Sequence, residues 1–314
     1  MSLTADGPEA QDALFPSPHS SPKPVIPEKL QRATLRLEFP PSYVVVGVYR
    51  LITDRNLWVP AWDKCRHAVR RGAIVGGIWA FVTFKIQKKY IEWFLMKSPR
   101  VTGLSHDTIF GFKVPFSILT FAALMFLGTQ LTFIFRFFLS RNINIARDRV
   151  WDQTVASRGK APDFFGPYVE EFSRPPLVKY KQSWVEKVVG GPVGLFVVKQ
   201  VLLAPFDFYP FVGTVVSAWF KALGTSKYLH RQYFEAKKMN KDQVAVFIEE
   251  RKWDYRTFGF AAAILEGLPI IGLVFTVSNR IGAAMWAYDL EKRQHFVAEE
   301  KAAGRWVGPE SKLG

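Results

Sequence analysis

The sequence predicts an all-α integral membrane protein. We expect about four apolar segments, at least two of them proline-bent re-entrant hairpins, together with interfacial amphipathic helices. Two observations support this prediction. Of the 314 residues 49% are hydrophobic, and they concentrate in long runs with few charges, which soluble domains rarely contain. The 42 lysine and arginine residues cluster beside these runs, as they do where a chain meets lipid headgroups.

Four runs define the apolar segments. Residues 114–135 carry no charge over 22 positions, enough for one helix to cross about 30 Å of hydrocarbon. Residues 72–84 form an uncharged run of 13, which is short for a span unless flanking lysines reach the interface by snorkelling. Residues 188–220 contain two charges, and residues 258–279 contain one.

The third run is too long for one straight span. As a helix its 33 residues would measure about 50 Å. Pro205 and Pro210 lie on either side of Asp207, and each proline removes a backbone donor and clashes with the preceding turn. A hairpin that dips into the bilayer and turns back is therefore expected, or else two short spans with a tight turn. The fourth run has the same design, with Pro269 near its centre.

Residues 210–221 and 269–280 resemble each other. Both begin with proline, have glycine three positions later and end on a basic residue. The matching positions are Pro210 and Pro269, Gly213 and Gly272, and Lys221 and Arg280. We interpret them as parts of a pseudo-repeat, at about 188–235 and 240–293. Repeats of interrupted membrane helices are typical of many transporters.

The expected domain plan has three parts. Residues 1–33 form a disordered tail rich in proline and serine, residues 34–295 a helical membrane domain, and residues 296–314 a polar C-terminal tail. Within the domain, residues 240–257 predict an amphipathic helix that lies on the membrane surface and is capped by Asn240 or Asp242. Its apolar face contains Val244, Phe247, Ile248, Tyr255 and Phe258.

The net charge of +15 indicates membrane lipids with anionic headgroups as partners and argues against nucleic acid, because the cations flank the apolar runs. Every polar stretch between the runs is basic. If each run crossed the bilayer once, basic loops would lie on both sides, contrary to the usual asymmetry. This favours hairpins. The sequence leaves open whether the chain forms a homo-oligomer.

Three charges lie inside the apolar runs: Lys199, Asp207 and Glu266. Charges are costly in hydrocarbon, so they should face a polar interior, form pairs or lie near the interface. One hypothesis is that they line a path for an ion or substrate between the hairpins. The other, which we favour, is that the hairpin turns reach only the headgroup zone or that the carboxylates cap freed backbone N–H groups.

The sequence predicts no enzyme, and no catalytic, metal-binding or cofactor-binding residues are expected. Ser105, His106 and Asp107 are consecutive, but a catalytic triad needs three side chains that converge on one point. The five histidines are scattered, and no pair has the spacing of zinc ligands.

Two stretches, LLAPFDFYPFVGTVVSAWFKALGTSKYLHRQYF (202–234) and FGFAAAILEGLPIIGLVFTVSNRIGAAMWAYDLEKR (258–293), resemble the etoposide-induced membrane protein and CysZ-like superfamily. The shared features are a basic amphipathic stretch, a Phe-Gly helix start, a central proline and a final helix rich in glycine and alanine. The stretch YVVVGVYRLITDRNLWVPAWDKCRHAVRRG (43–72) is similar to the fungal outer spore wall, or lipid-droplet sporulation, branch.

The resemblance implies a non-catalytic protein of the endoplasmic reticulum membrane and lipid droplets, acting in lipid handling or spore wall assembly. The bacterial branch implies instead a transporter or channel for sulfate-type anions. The anion-binding arginine motif of that branch has no matching position in this sequence, which puts sulfate transport in doubt.

Overall fold

The computed structural model describes residues 33, 36–96, 108–109, 112–113, 118–159, 164–171 and 212–306. The helices are α1 (Pro41–Thr53), α2 (Arg55–Met96), α3 (Ile118–Ala156), α4 (Val212–Leu229), α5 (Arg231–Ala236), α6 (Lys241–Glu250), α7 (Lys252–Glu266) and α8 (Gly272–Ala302). Two short antiparallel strands, β1 (Thr108–Ile109) and β2 (Phe112–Lys113), lie between α2 and α3. The predicted helical architecture is confirmed over these residues.

Helices α2 and α3 form a long antiparallel hairpin. With 42 and 39 residues each is about 60 Å long. Small residues bring the two backbones close, because Gly72 lies against Phe135 and Gly76 against Leu131. Within α3, residues 123–156 are long and apolar enough to cross a membrane, the one such helix in the described part of the chain. Only 22% of its most apolar stretch is buried inside the protein, unlike the core helix of a soluble domain.

Two further helix pairs pack at glycines. A Cβ atom at Gly259 of α7 would collide with the backbone of Ala222 in α4, and one at Gly282 of α8 with the backbone of Tyr43 in α1. Such close approach of small residues is typical of helix contacts in membranes. Between these pairs lies a core rich in aromatic rings, whose largest fully buried members are Tyr43, Tyr233, Phe247, Tyr255, Phe258 and Trp286.

The segment predicted as one amphipathic helix is two helices, α6 and α7, which meet at Arg251. The predicted cap is confirmed: Asn240 accepts a hydrogen bond from the Gln243 backbone, and Gln243 bonds back in a capping box. The predicted position on a membrane surface is wrong. Phe247 and Tyr255 are fully buried in the aromatic core, so the apolar face is covered by the protein itself.

The fourth apolar run reverses direction around its proline, while its predicted re-entry into a membrane stays a prediction. Helix α7 ends at Glu266, and α8 begins at Gly272. Ile270, next to Pro269, has a φ of 62°, a left-handed conformation that is unusual for a β-branched residue. Helix α8 then continues to Ala302. Most of the third run, with Lys199, Pro205, Asp207 and Pro210, and the predicted tail before Ala33 lie outside the described residues.

Candidate functional site

Large apolar side chains are exposed at one end of the molecule, which we call the apolar end. It comprises residues 72–90 of α2, 123–135 of α3, 214–220 of α4 and 264–275 around the α7–α8 turn. The exposed residues there include Ile74, Val75, Ile78, Phe81, Val82, Phe126, Phe133, Phe220, Ile271 and Val274. A smaller exposed set lies on α1 and the start of α2: Val45, Tyr49, Ile52, Trp58 and Trp62. A surface of this kind marks a membrane or partner contact.

The α7–α8 turn contacts the second half of the apolar run of α3. A Cβ atom at Gly128 would lie 2.9 Å from Pro269 Cβ, and the Ile270 backbone N–H donates to Thr132 Oγ1 at 2.8 Å. The turn therefore lies about 10 Å along α3 from Arg136, the first charge after that run. Helix α4 begins at the same level, since Thr214 lies near Gly267.

Of the three charges predicted to line a polar path, the structure describes Glu266, which links helices α7 and α8. Its carboxylate accepts a hydrogen bond from Asn279 Nδ2 at 3.0 Å, and the same amide donates to the Ala262 carbonyl at 3.1 Å. The structure thus gives Glu266 a partner inside its own hairpin. Lys199 and Asp207 lie outside the described residues.

The two basic positions of the pseudo-repeat have different surroundings. Lys221 is exposed on α4. Arg280 is buried and donates to the carbonyls of Tyr228, at 3.1 Å, and Leu229, at 2.7 Å. These carbonyls end α4, where a cation satisfies orphan acceptors and the negative end of the helix dipole. Gly213 and Gly272 both lie at the start of a helix. The pseudo-repeat itself stays a prediction.

Two clusters of buried charge that the sequence did not predict lie at the opposite end. In the first, Lys237 donates to both carboxylate oxygens of Glu291, at 2.8 and 2.9 Å, and both side chains are fully buried. Tyr233 OH and the Gly166 backbone N–H also donate to Glu291, at 3.1 and 2.9 Å. Glu291 therefore accepts four hydrogen bonds from three donor groups in place of water.

The second cluster surrounds Glu171. Its carboxylate lies 2.6 Å from Arg251 Nη2 and accepts from Arg293 Nε at 2.9 Å and Gln294 Nε2 at 2.8 Å. Burial opposes its ionisation, but the two arginines overcome this and hold the pKa of Glu171 below its ordinary value. Together the clusters fasten residues 164–171 onto α8. Their members are far apart in sequence, so local pattern could not have revealed them.

His230 lies between these clusters and the apolar end. Since a carbonyl only accepts, Nε2 donates to the Ala283 carbonyl at 3.2 Å, and Nδ1 therefore accepts from Tyr255 OH at 2.7 Å. The ring lies 4.4 Å from that of Trp286. Complete burial lowers the pKa of His230 to about 3, so the imidazole is neutral and its bonds hold α7 and α8 together.

These groups bind one another in paired, buried arrangements, which stabilise a fold. The feature that faces outward is the apolar end. Compared with known proteins, the chain matches no family model, no curated protein and no solved structure. The resemblance to the etoposide-induced and CysZ-like superfamily therefore stays a prediction.

Proposed function

We propose that this chain is a non-catalytic, multi-pass membrane protein of the endoplasmic reticulum and lipid droplets that acts in lipid handling or spore wall assembly. The organelle and the process come from the resemblance in the sequence. The observation that supports a membrane role is the apolar end, where α2, α3, α4 and the α7–α8 turn all expose large apolar side chains. Burying such surface in lipid is favourable by about 25 cal/mol per Å².

In this proposal the apolar end uses two modes of insertion. Helices α2 and α3 cross the hydrocarbon, while the α7–α8 turn enters from the side of the charged clusters and returns to it. The depth of the turn, about 10 Å from the level of Arg136, is too small for a crossing. Its tip residues Leu268, Ile270 and Ile271 are aliphatic and exposed, as a re-entrant wedge requires.

A transporter or channel for anions is the second candidate. It is favoured by one observation: α4 and α8 both begin just after a proline, at the same level of the apolar end. Interrupted helices that meet at one depth form the binding sites of many transporters. Against it, Glu266 already has a partner in Asn279.

The test compares location, amount and flux. A fluorescently tagged chain is expected to follow the endoplasmic reticulum and to ring droplets stained with a neutral-lipid dye. Glu266→Ala is expected to lower its amount or mislocate it, because the α7–α8 hairpin loses a bond. If that variant keeps its amount and location but loses sulfate flux in reconstituted vesicles, the transporter replaces our proposal.

A matched pair of variants tests the wedge. Ile270 is 38% exposed at the tip, and Ile145 is 36% exposed on α3 away from the apolar end. Aspartate tolerates the left-handed backbone of residue 270 better than isoleucine does, so backbone strain would not explain a loss. Ile270→Asp is expected to reduce membrane targeting or abundance, and Ile145→Asp is expected to leave both nearly unchanged. Equal behaviour of the two variants would contradict the wedge.

A further inference from the structure

We propose that a ring of exposed cations on α2 and α3 binds the phosphate-bearing headgroups of anionic phospholipids, and we call this ring the basic collar. The inference rests on the proposed membrane insertion and names the lipid class and the residues that recognise it. The collar consists of Lys64, Arg66, Arg70 and Arg71 of α2 and Arg136 and Arg141 of α3.

The collar lies where the apolar end begins. The contact of Gly72 with Phe135 places Arg71 and Arg136 at the same level of the hairpin. Beyond them on α2 come Ile74, 56% exposed, and Val75, 44% exposed. Cations at this boundary would meet the headgroups when the apolar end enters hydrocarbon. The phosphate of a lipid is thus the anion within their reach.

The collar cations have almost no internal counter-charge. Arg66 lies 3.7 Å from Asp63 on an exposed surface, a contact that contributes little. Among the described residues, Arg70, Arg71 and Arg136 have no carboxylate within salt-bridge distance. The cations of the buried clusters are paired, by contrast. Counting the six collar cations against Asp63 leaves five positive charges with no carboxylate in salt-bridge distance among the described residues.

Two aromatic residues support a lipid partner over a free anion. Trp62 is 51% exposed on α2, and Phe137 is 77% exposed on α3, directly after Arg136. Tryptophan is enriched at membrane interfaces, where its ring lies at headgroup level. A site for free phosphate would need buried, convergent donors, whereas the collar cations are all exposed. Guanidinium groups bind phosphate oxygens in pairs of hydrogen bonds, which suits a headgroup at the edge of the apolar surface.

The test uses the full chain reconstituted in phosphatidylcholine vesicles that contain traces of spin-labelled phosphatidylserine or phosphatidylcholine. The measured quantity is the ratio of the two lipid association constants. The collar variant is Arg70→Gln/Arg71→Gln/Arg136→Gln. The matched control, Arg149→Gln/Lys241→Gln/Lys301→Gln, removes the same charge from exposed positions away from the collar.

Wild type and control are expected to prefer phosphatidylserine. The collar variant should lose most of that preference, because three of the six collar cations are removed and each cation near an anionic surface strengthens association roughly fivefold. High salt should weaken the preference of the wild type by screening.

Three results would overturn or redirect the inference. If the collar variant keeps its preference, or the control loses as much, the collar is not the site. If inorganic phosphate abolishes the preference while chloride at equal ionic strength does not, the collar binds a free anion and the lipid assignment is wrong. If the wild type itself is extracted from the vesicles by alkaline carbonate, the proposed membrane insertion fails, which is distinguishable from failure of the collar alone.

Discussion

Replacing His230 with glutamine should make the stability of the fold less sensitive to acid. The imidazole is fully buried among aromatic rings, and burial lowers its pKa from 6.5 to about 3. In the unfolded chain the same group regains its ordinary pKa. Between these two values the unfolded state binds a proton that the folded state does not. The stabilisation by the neutral imidazole is therefore complete above about pH 6.5 and is lost as the pH falls towards 3.

The size of the effect follows from the two pKa values. At about pH 5, protonation of this one imidazole stabilises the unfolded state by about 2 kcal/mol. At about pH 7.5 it contributes almost nothing. Glutamine can keep both contacts, since its amide can donate to the Ala283 carbonyl and accept from Tyr255 OH, but it does not titrate. The variant should therefore lose about 2 kcal/mol less than the wild type between these pH values.

The assay is denaturant unfolding of the purified chain in detergent, followed by tryptophan fluorescence at the two pH values. His67→Gln is the control, because it makes the same substitution at an exposed position outside the aromatic core. If His230→Gln loses as much stability as the wild type on acidification, the imidazole is not buried and neutral as described, and the reasoning fails.

Two further predictions concern packing and charge. Gly259→Ala should destabilise the fold by about 1–3 kcal/mol, because the new Cβ atom meets the backbone of Ala222. Gly77→Ala should stabilise the fold by about 0.5–1 kcal/mol, because a Cβ atom there has nothing within 4 Å. If the melting temperatures of the two variants shift in the same direction, the close approach at Gly259 is contradicted. Lys237→Met should lower the free energy of unfolding by about 3–5 kcal/mol, because it leaves the Glu291 carboxylate buried without its cation. Lys237→Met/Glu291→Leu should recover part of this loss in the same unfolding assay, and a double variant no more stable than the single would show that the pair is not the source.

The sequence predicted features that depend on neighbouring residues. Pro269 in an apolar run indicated a reversal, and Asn240 indicated a helix start. The prediction from the sequence was wrong where the outcome depended on what covers an apolar helix face. The periodicity of Phe247 and Tyr255 indicated an apolar face, but a membrane and a protein core select the same pattern.

The buried charges escaped prediction for a different reason. Lys237 and Glu291 are 54 positions apart, and only the packing of α5 against α8 brings them together. No local motif marks either residue. Arg280 is a similar case. The sequence suggested a basic residue flanking an apolar run, but its side chain donates to the last carbonyls of α4.

The two helices of the long hairpin differ in apolar length. On α2 the uncharged stretch between Arg71 and Lys85 is 13 residues, about 20 Å, whereas its neighbour α3 has enough apolar residues for a full crossing. In the proposed insertion, a bilayer around the pair has to thin beside α2, or the side chains of Lys85, Lys88 and Lys89 have to extend outward to the interface. This hydrophobic mismatch is smaller in membranes of about 27 Å than in those of about 32 Å, and differences of that size sort proteins among organelles. Membrane thickness would thus help to determine in which membrane this chain resides, independent of any targeting signal.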